Sequence, residues 1–197
     1  TPVIPRAIDN APTVQADAIG AGSALFDGDD DYIDLGSQAG DLRLSGSDGT
    51  IATWIKIVDV SADDTYKRIV DKSDNTSANR GYALMIHTDG ELYGQIDGST
   101  RVNSAGTVSD NTWTHIAWTW DGTNHKIYID GVLDVTNAET TQPPSDTTNM
   151  KIGTWNHSTA REFKGNICQL GIWSGALTQA QIQSIMEKTY EEFTASE

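Results

Sequence analysis

The seven residues Trp155-Asn156-His157-Ser158-Thr159-Ala160-Arg161 combine an indole with amide, imidazole, hydroxyl and guanidinium groups. That mixture suits sugar recognition. An aromatic face covers the apolar C–H side of a pyranose, and planar polar groups satisfy its hydroxyls. Asn79-Arg80-Gly81-Tyr82 and Tyr66-Lys67-Arg68 can contribute from neighbouring loops. The candidate ligand-binding set is therefore Trp155, Asn156, His157, Arg161, Arg80 and Tyr82. Because Trp155 comes soon after the Ile152-Gly153 strand, with Thr154 between, capping the core is its competing role.

A second chemistry is suggested by Asp27, Asp29, Asp30 and Asp31, which with Asp34 form the densest acidic cluster in the chain. Calcium takes roughly six to eight oxygens, from carboxylates and backbone carbonyls. The first four are the candidate metal ligands, and a solvated acidic loop is the alternative. Hydrolysis finds less support. Glycosidases generally set two carboxylates about 5 Å apart or wider across the scissile bond, but Glu91, Glu139 and Glu162 are isolated. Glu187, Glu191 and Glu192 fall in a terminal helical segment. His87, His115, His125 and His157 are scattered, so no Ser-His-Asp set can be drawn. No enzyme is expected.

The chain that must position these groups has 197 residues, enough for one domain with a sizeable core and no need of staples. A single Cys excludes an intramolecular disulfide framework and a Cys-rich zinc site. With 28 acidic against 13 basic residues the formal charge is −15. No basic stripe is present to displace phosphate counterions, so no nucleic-acid partner is expected. Binding to an anionic membrane surface is disfavoured by the same charge, and no apolar run suggests membrane insertion. The N-terminus lacks a basic-then-apolar leader pattern, and a start at Thr1 suggests processing from something longer.

Asp outnumbers Glu 21 to 7 and Gly reaches 18, which favours turns over helices. Six Asp-Gly pairs (27–28, 48–49, 89–90, 97–98, 121–122, 130–131) are candidate hairpin turns. Alternation predicts strands over 51–58, 82–86, 92–96, 114–120 and 127–129, with Ile116, Trp118 and Trp120 on one face. Further strands are expected at 24–26, 32–35, 67–71, 132–137, 150–153 and 163–173. These make an all-β antiparallel sandwich. One helix follows: Thr178 and Gln181 have capping-box spacing, Leu177 and Ile182 can staple, and Ile182, Ile185, Met186 and Phe193 recur at helical intervals. Residues 1–20 carry three of the five prolines and read as an arm or linker, with the domain over 21–197.

The segments resemble a known family in its order. Leu25-Phe26-Asp27-Gly28 with Asp31-Tyr32-Ile33 looks like the opening strands of laminin-G-like jelly rolls in the concanavalin A-like lectin/glucanase superfamily. Trp54-Ile55-Lys56, Trp113-Thr114-His115-Ile116-Ala117, Tyr128-Ile129-Asp130-Gly131, Lys151-Ile152-Gly153, Phe163-Lys164-Gly165-Asn166-Ile167 and Ala176-Leu177-Thr178 resemble the later pieces. The resemblance spans roughly residues 23–190 and implies a jelly-roll sandwich of two curved antiparallel sheets. The superfamily's glucanases share a Glu-x-Asp-x-(x)-Glu strand, which is absent here. Related domains often hold calcium between the first-strand loop and a Gly-x-Ile-Asp-Glu/Asp segment of the last strand. Here that segment reads Gly165-Asn166-Ile167-Cys168-Gln169, with both acids replaced. Cys168 has the parity of Leu170 and Ile172 and is expected to be a buried, inert thiol.

A fold does not fix a function. The reading carried forward is a non-catalytic recognition module that binds a glycan or surface ligand through sandwich-edge loops. The alternative is a virion or cell-surface structural module, a capsid decoration or fibre, contacting protein as a homo-oligomer or larger assembly. Its N-terminal arm could then add a strand to a neighbour's edge. Both place the protein outside the cell or on a virion surface.

Overall fold

The structure is a computed structural model that describes residues 13–15, 22–36, 42–59, 66–73, 81–98, 100–145, 147–156, 161–189 and 192. Among these residues, thirteen strands and one helix follow in chain order: β1 (Thr13–Gln15), β2 (Ser23–Asp27), β3 (Ile33–Asp34), β4 (Gly49–Ile57), β5 (Lys67–Lys72), β6 (Tyr82–Ile86), β7 (Glu91–Ile96), β8 (Thr100–Thr107), β9 (Thr114–Trp120), β10 (Asn124–Ile129), β11 (Val132–Ala138), β12 (Lys151–Ile152), β13 (Lys164–Trp173) and α1 (Gln179–Met186). They form a seven-stranded sheet, β1-β2-β13-β4-β9-β10-β11, and a six-stranded sheet, β3-β12-β5-β6-β7-β8. Neighbouring strands run antiparallel throughout, and the two layers form a jelly-roll sandwich.

The two-residue period explains the layering. Ile51, Ile55 and Ile57 of β4, with Ile116, Trp118 and Trp120 of β9, point inward from one sheet. Tyr82, Leu84, Ile86, Leu92 and Ile96 meet them from the other. Trp118 and Trp120 are both fully buried, their rings 4.6 Å apart. β4 lies between β13 and β9, as its two apolar faces require. Part of the outer face of the seven-stranded sheet, over β4, β9 and β10, is covered by α1. Thr178 caps it, its Oγ1 accepting from the Gln181 amide while Gln181 Oε1 accepts from the Thr178 amide. Ile182 and Ile185 pack on Ala52, Ala117 and Tyr128. Phe193 lies outside the described residues. Among the described residues, no helix is long and apolar enough to cross a membrane.

Several elements differ from the expectation. β8 has no apolar alternation beyond Val102, and it forms because β7 offers it a ladder at the sheet edge. Of the six Asp-Gly pairs, 97–98 and 130–131 have positive φ at both residues, the type I′ pattern. Gly49 instead opens β4 beneath Trp120, where a Cβ would collide with the indole. Thr13–Gln15, inside the expected arm, pair with Ser23–Leu25 and extend the chain's own sheet. Residues 1–12 lie outside the described residues.

Candidate functional site

A bulge in β5 builds a buried polar network. Arg68 pairs with Met85 and Val70 with Leu84, leaving Ile69 as the extra residue. Residues three apart on a regular strand face opposite ways. The insertion turns Ile69 and Val70 into the core and puts Arg68 and Asp71 together on the outer face of the six-stranded sheet. Arg68 Nε stands 3.5 Å from Asp71 Oδ2, the two side chains being 4% and 0% exposed. Asp71 Oδ1 also accepts from the Ser73 amide and hydroxyl, each at 3.0 Å, and from Asn156 Nδ2 at 3.3 Å. Burial raises the Asp71 carboxyl pKa, with Arg68 opposing. Burial also lowers the Arg68 guanidinium to about 10; Asp71 counters this, and Arg161 and Arg101 add to it.

Trp155, half-buried, sits beside this pair. The Arg161 guanidinium carbon lies 4.4 Å from its ring centroid and that of Arg68 5.5 Å. Both distances are within cation–π range. Asn156 Nδ2 also donates to the Asn149 carbonyl at 2.8 Å, so the amide ties the segment after β12 to β5. A second aromatic group centres on Tyr66. Arg101 lies 5.0 Å over its ring and donates to its hydroxyl at 3.2 Å, while His87 and Tyr93 pack at 4.7 and 5.0 Å. Tyr93 donates to Glu91, which also accepts from Asn103. Burial first, then Glu91, pushes the Tyr93 phenol up to about 12.

The structure thus brings Trp155, Asn156 and Arg161 together. Tyr82 does not join them: it is fully buried, its ring packs on Trp120 at 5.8 Å, and its hydroxyl donates to the Leu42 carbonyl. Its alternation with Leu84 and Ile86 already placed it on the inner face. Its assignment to the ligand-binding set is corrected accordingly. Arg80 and His157 lie outside the described residues. The residues that went unrecognised are His87, Tyr93 and Arg101. Arg101 sits on β8, whose polar sequence hid the strand that positions it.

In the acidic loop, ligand oxygens of Asp27, Asp30 and Asp31 come within 4.8 Å of one another. Asp27 Oδ1 accepts from the amides of Asp29 and Asp30, and Asp31 Oδ2 from that of Asp27. Asp29 enters through its amide. Lys164 pairs with Asp27 across the ladder, so Cys168 lies four residues further along β13, about 13 Å away. The last-strand position that the resemblance coupled to this loop is not beside it. Cys168 is buried, but on the outer face opposite Trp54, because a bulge between Cys168 and Gly171 breaks its parity with Leu170 and Ile172. Glu162 is not isolated. It shares a cavity of about 150 Å³ with Asp27, Asp59, Lys67 and Lys164, and burial raises its pKa.

No curated protein matches the chain. Among solved structures, the chain is similar to domain 4 of AbnA, a GH43 extracellular arabinanase from Geobacillus stearothermophilus, solved with arabinotriose. The identity is 20%, the TM-score 0.66, and 89% of this chain and 81% of that chain are covered. The receptor-binding domain of botulinum neurotoxin D matches at 20% identity and TM-score 0.68, over 92% of this chain and 46% of that one. A putative carbohydrate-binding protein from Bacteroides ovatus matches at 20% and 0.59, over 77% and 43%. The chain spans under half the length of the last two. At these identities the likeness shows the fold. The family model described as the concanavalin A-like lectin/glucanases superfamily matches residues 27–183, most of the chain, and the chain belongs to that superfamily.

Proposed function

We propose that the chain is a non-catalytic, extracellular glycan-recognition module that binds at the Trp155–Arg161 end of the six-stranded sheet. The observation that carries this is the half-buried indole of Trp155 with the Arg161 guanidinium stacked at 4.4 Å, beside the Asn156–Asp71–Arg68 network. Such a platform offers an apolar ring and fixed hydrogen-bond donors in one place. The arabinanase domain solved with arabinotriose supports a sugar ligand and an extracellular setting. The cavity that gathers Glu162 with Asp27 and Asp59 is about 150 Å³ and is also lined by two lysines. Ligand pockets run to roughly 300 Å³ or more, so a non-catalytic role fits it better. In calorimetry against a panel of arabino-, galacto- and gluco-oligosaccharides, Trp155→Ala is expected to weaken binding at least about tenfold with an unchanged circular dichroism spectrum. Absence of binding to any glycan overturns the reading.

Calcium is proposed as an accessory ligand of the loop after β2. Asp27, Asp30 and Asp31 would supply three oxygens, a set that fits a weak, water-completed site. Millimolar calcium should raise Tm by a few degrees, an effect of about 1 kcal/mol that Asp30→Asn removes. An unchanged Tm removes the metal. The exposed Val132 and Leu133 on the edge strand β11, 59% and 42% accessible, favour the second reading, a structural module contacting protein. Concentration-dependent sedimentation that is lost on Leu133→Ser would support it; a concentration-independent monomer would not.

A further inference from the structure

The chain carries 28 acidic residues against 13 basic ones, yet three of its arginines converge on the two aromatic groups of one sheet face. Arg161 stacks on Trp155, Arg101 stacks on Tyr66, and Arg68 approaches Trp155 from the sheet itself. Stacking a guanidinium on a ring fixes its plane and leaves in-plane N–H groups to grip a planar anion; Arg101 gives one Nη1 hydrogen to the Tyr66 hydroxyl and keeps the others.

Among the described residues, the acidic groups on this face do not use that capacity. Asp71 is fully buried and already accepts from the Ser73 amide and hydroxyl and from Asn156. Its oxygen stays 3.5 Å from Arg68 Nε, which has no hydrogen-bond partner although buried, while Arg68 Nη1 faces the Met85 thioether, a weak acceptor. Glu91 is engaged by Tyr93 and Asn103, and Asp89 by His87. Among the described residues, neither Arg101 nor Arg161 forms an ion pair. Tyr66 lies two residues before Arg68 in the chain, which makes the two aromatic groups neighbours on this face, and the Arg161 and Arg101 charges both help to lower the Arg68 pKa.

We infer that the sugar recognised on this face carries a carboxylate, which the Arg161 and Arg101 guanidiniums bind while Trp155 and Tyr66 cover the ring. The inference rests on the glycan reading above and names its ligand class as an acidic sugar, a uronic or sialic acid. Orientation follows from it: the carboxylate lies toward the arginines, and the neutral hydroxyls lie toward Asn156.

The test uses matched pairs that differ only at the carboxyl group, trigalacturonate against its carboxyl-reduced trisaccharide and sialyllactose against its carboxyl-reduced form, titrated into the intact chain by calorimetry. For at least one pair the acidic member should bind about tenfold tighter or more. That ratio should fall below about threefold in Arg161→Gln and in Arg101→Gln, with folding confirmed by circular dichroism. Equal affinity for acidic and neutral members, lost on Trp155→Ala, overturns the carboxylate and leaves glycan recognition standing. Preference for a sulfated glycan over the carboxylated one also overturns it. If no member of either pair and no oligosaccharide of the wider panel binds, both readings fall together.

Discussion

His115 alternates with Ile116 and Trp118 along β9, so it points to the outer face of its sheet, where Trp54 covers it at 5.4 Å. It is 3% exposed and its Nδ1 has no hydrogen-bond partner. Burial alone lowers its pKa from 6.5 to about 4. A proton therefore binds the unfolded chain near pH 6.5, while the folded chain resists it until about pH 4. The stabilisation is complete above the unfolded value and is lost as pH falls between the two. Burial moves His125 in the same direction. His115 by itself should remove about 3 kcal/mol between pH 7.5 and pH 4. Urea midpoints across that range measure the slope, and His115→Gln should flatten it whatever its absolute stability. A slope unchanged in that variant would remove His115 as the cause.

At the scale of elements, single insertions decide which side chains meet. The extra Ile69 in β5 puts Arg68 and Asp71 on one face, and the irregularity between Cys168 and Gly171 carries Cys168 away from the core while Ile172 stays in it. Helix α1 is governed more locally. Its eight residues carry neither an acidic first turn nor a basic last turn to complement the dipole, so the Thr178–Gln181 box has the larger share in fixing its start. Thr178→Ala should cost about 1 kcal/mol. The loss should appear as faster amide exchange in α1, with Trp118 and Trp120 fluorescence unaltered below the global transition. Protection unchanged throughout α1 would mean that packing of Ile182 and Ile185 holds the helix without its cap.

For the molecule as a whole, the spacing of the two sheets is set by glycine under tryptophan. Gly94 of β7 lies directly against the Trp118 indole, and a Cβ there would collide with it. Trp118 in turn packs on Trp120 with the ring planes tilted by 43°, meets His125 edge-on and is fully buried. Gly94→Ala forces the layers apart or the indole off its rotamer, and should lower unfolding free energy by about 1–3 kcal/mol in urea. An unchanged midpoint would show the interface to be more compliant than this packing implies. The polar face lies outside this interface. Binding and core stability should therefore respond to different substitutions.

The sandwich, the inward row Ile116-Trp118-Trp120 and the capped helix were legible in the residues alone, because period-two alternation and capping chemistry are local. Trp155, Asn156 and Arg161 could be named together because they lie within seven residues of one another in the sequence. The alternation of Tyr82 with Leu84 and Ile86 also marked it as inward, against its assignment to the site. What no local rule contains is the register between strands distant in sequence. β8 exists because β7 pairs with it, and only that pairing brings Arg101 over Tyr66. The β5 bulge is fixed by its partner β6, and the separation of Cys168 from the acidic loop by the pairing of β13 with β2. Composition determined a turn-rich acidic β protein; tertiary pairing decided which of its few cations stand together, since a one-residue slip reverses every side chain.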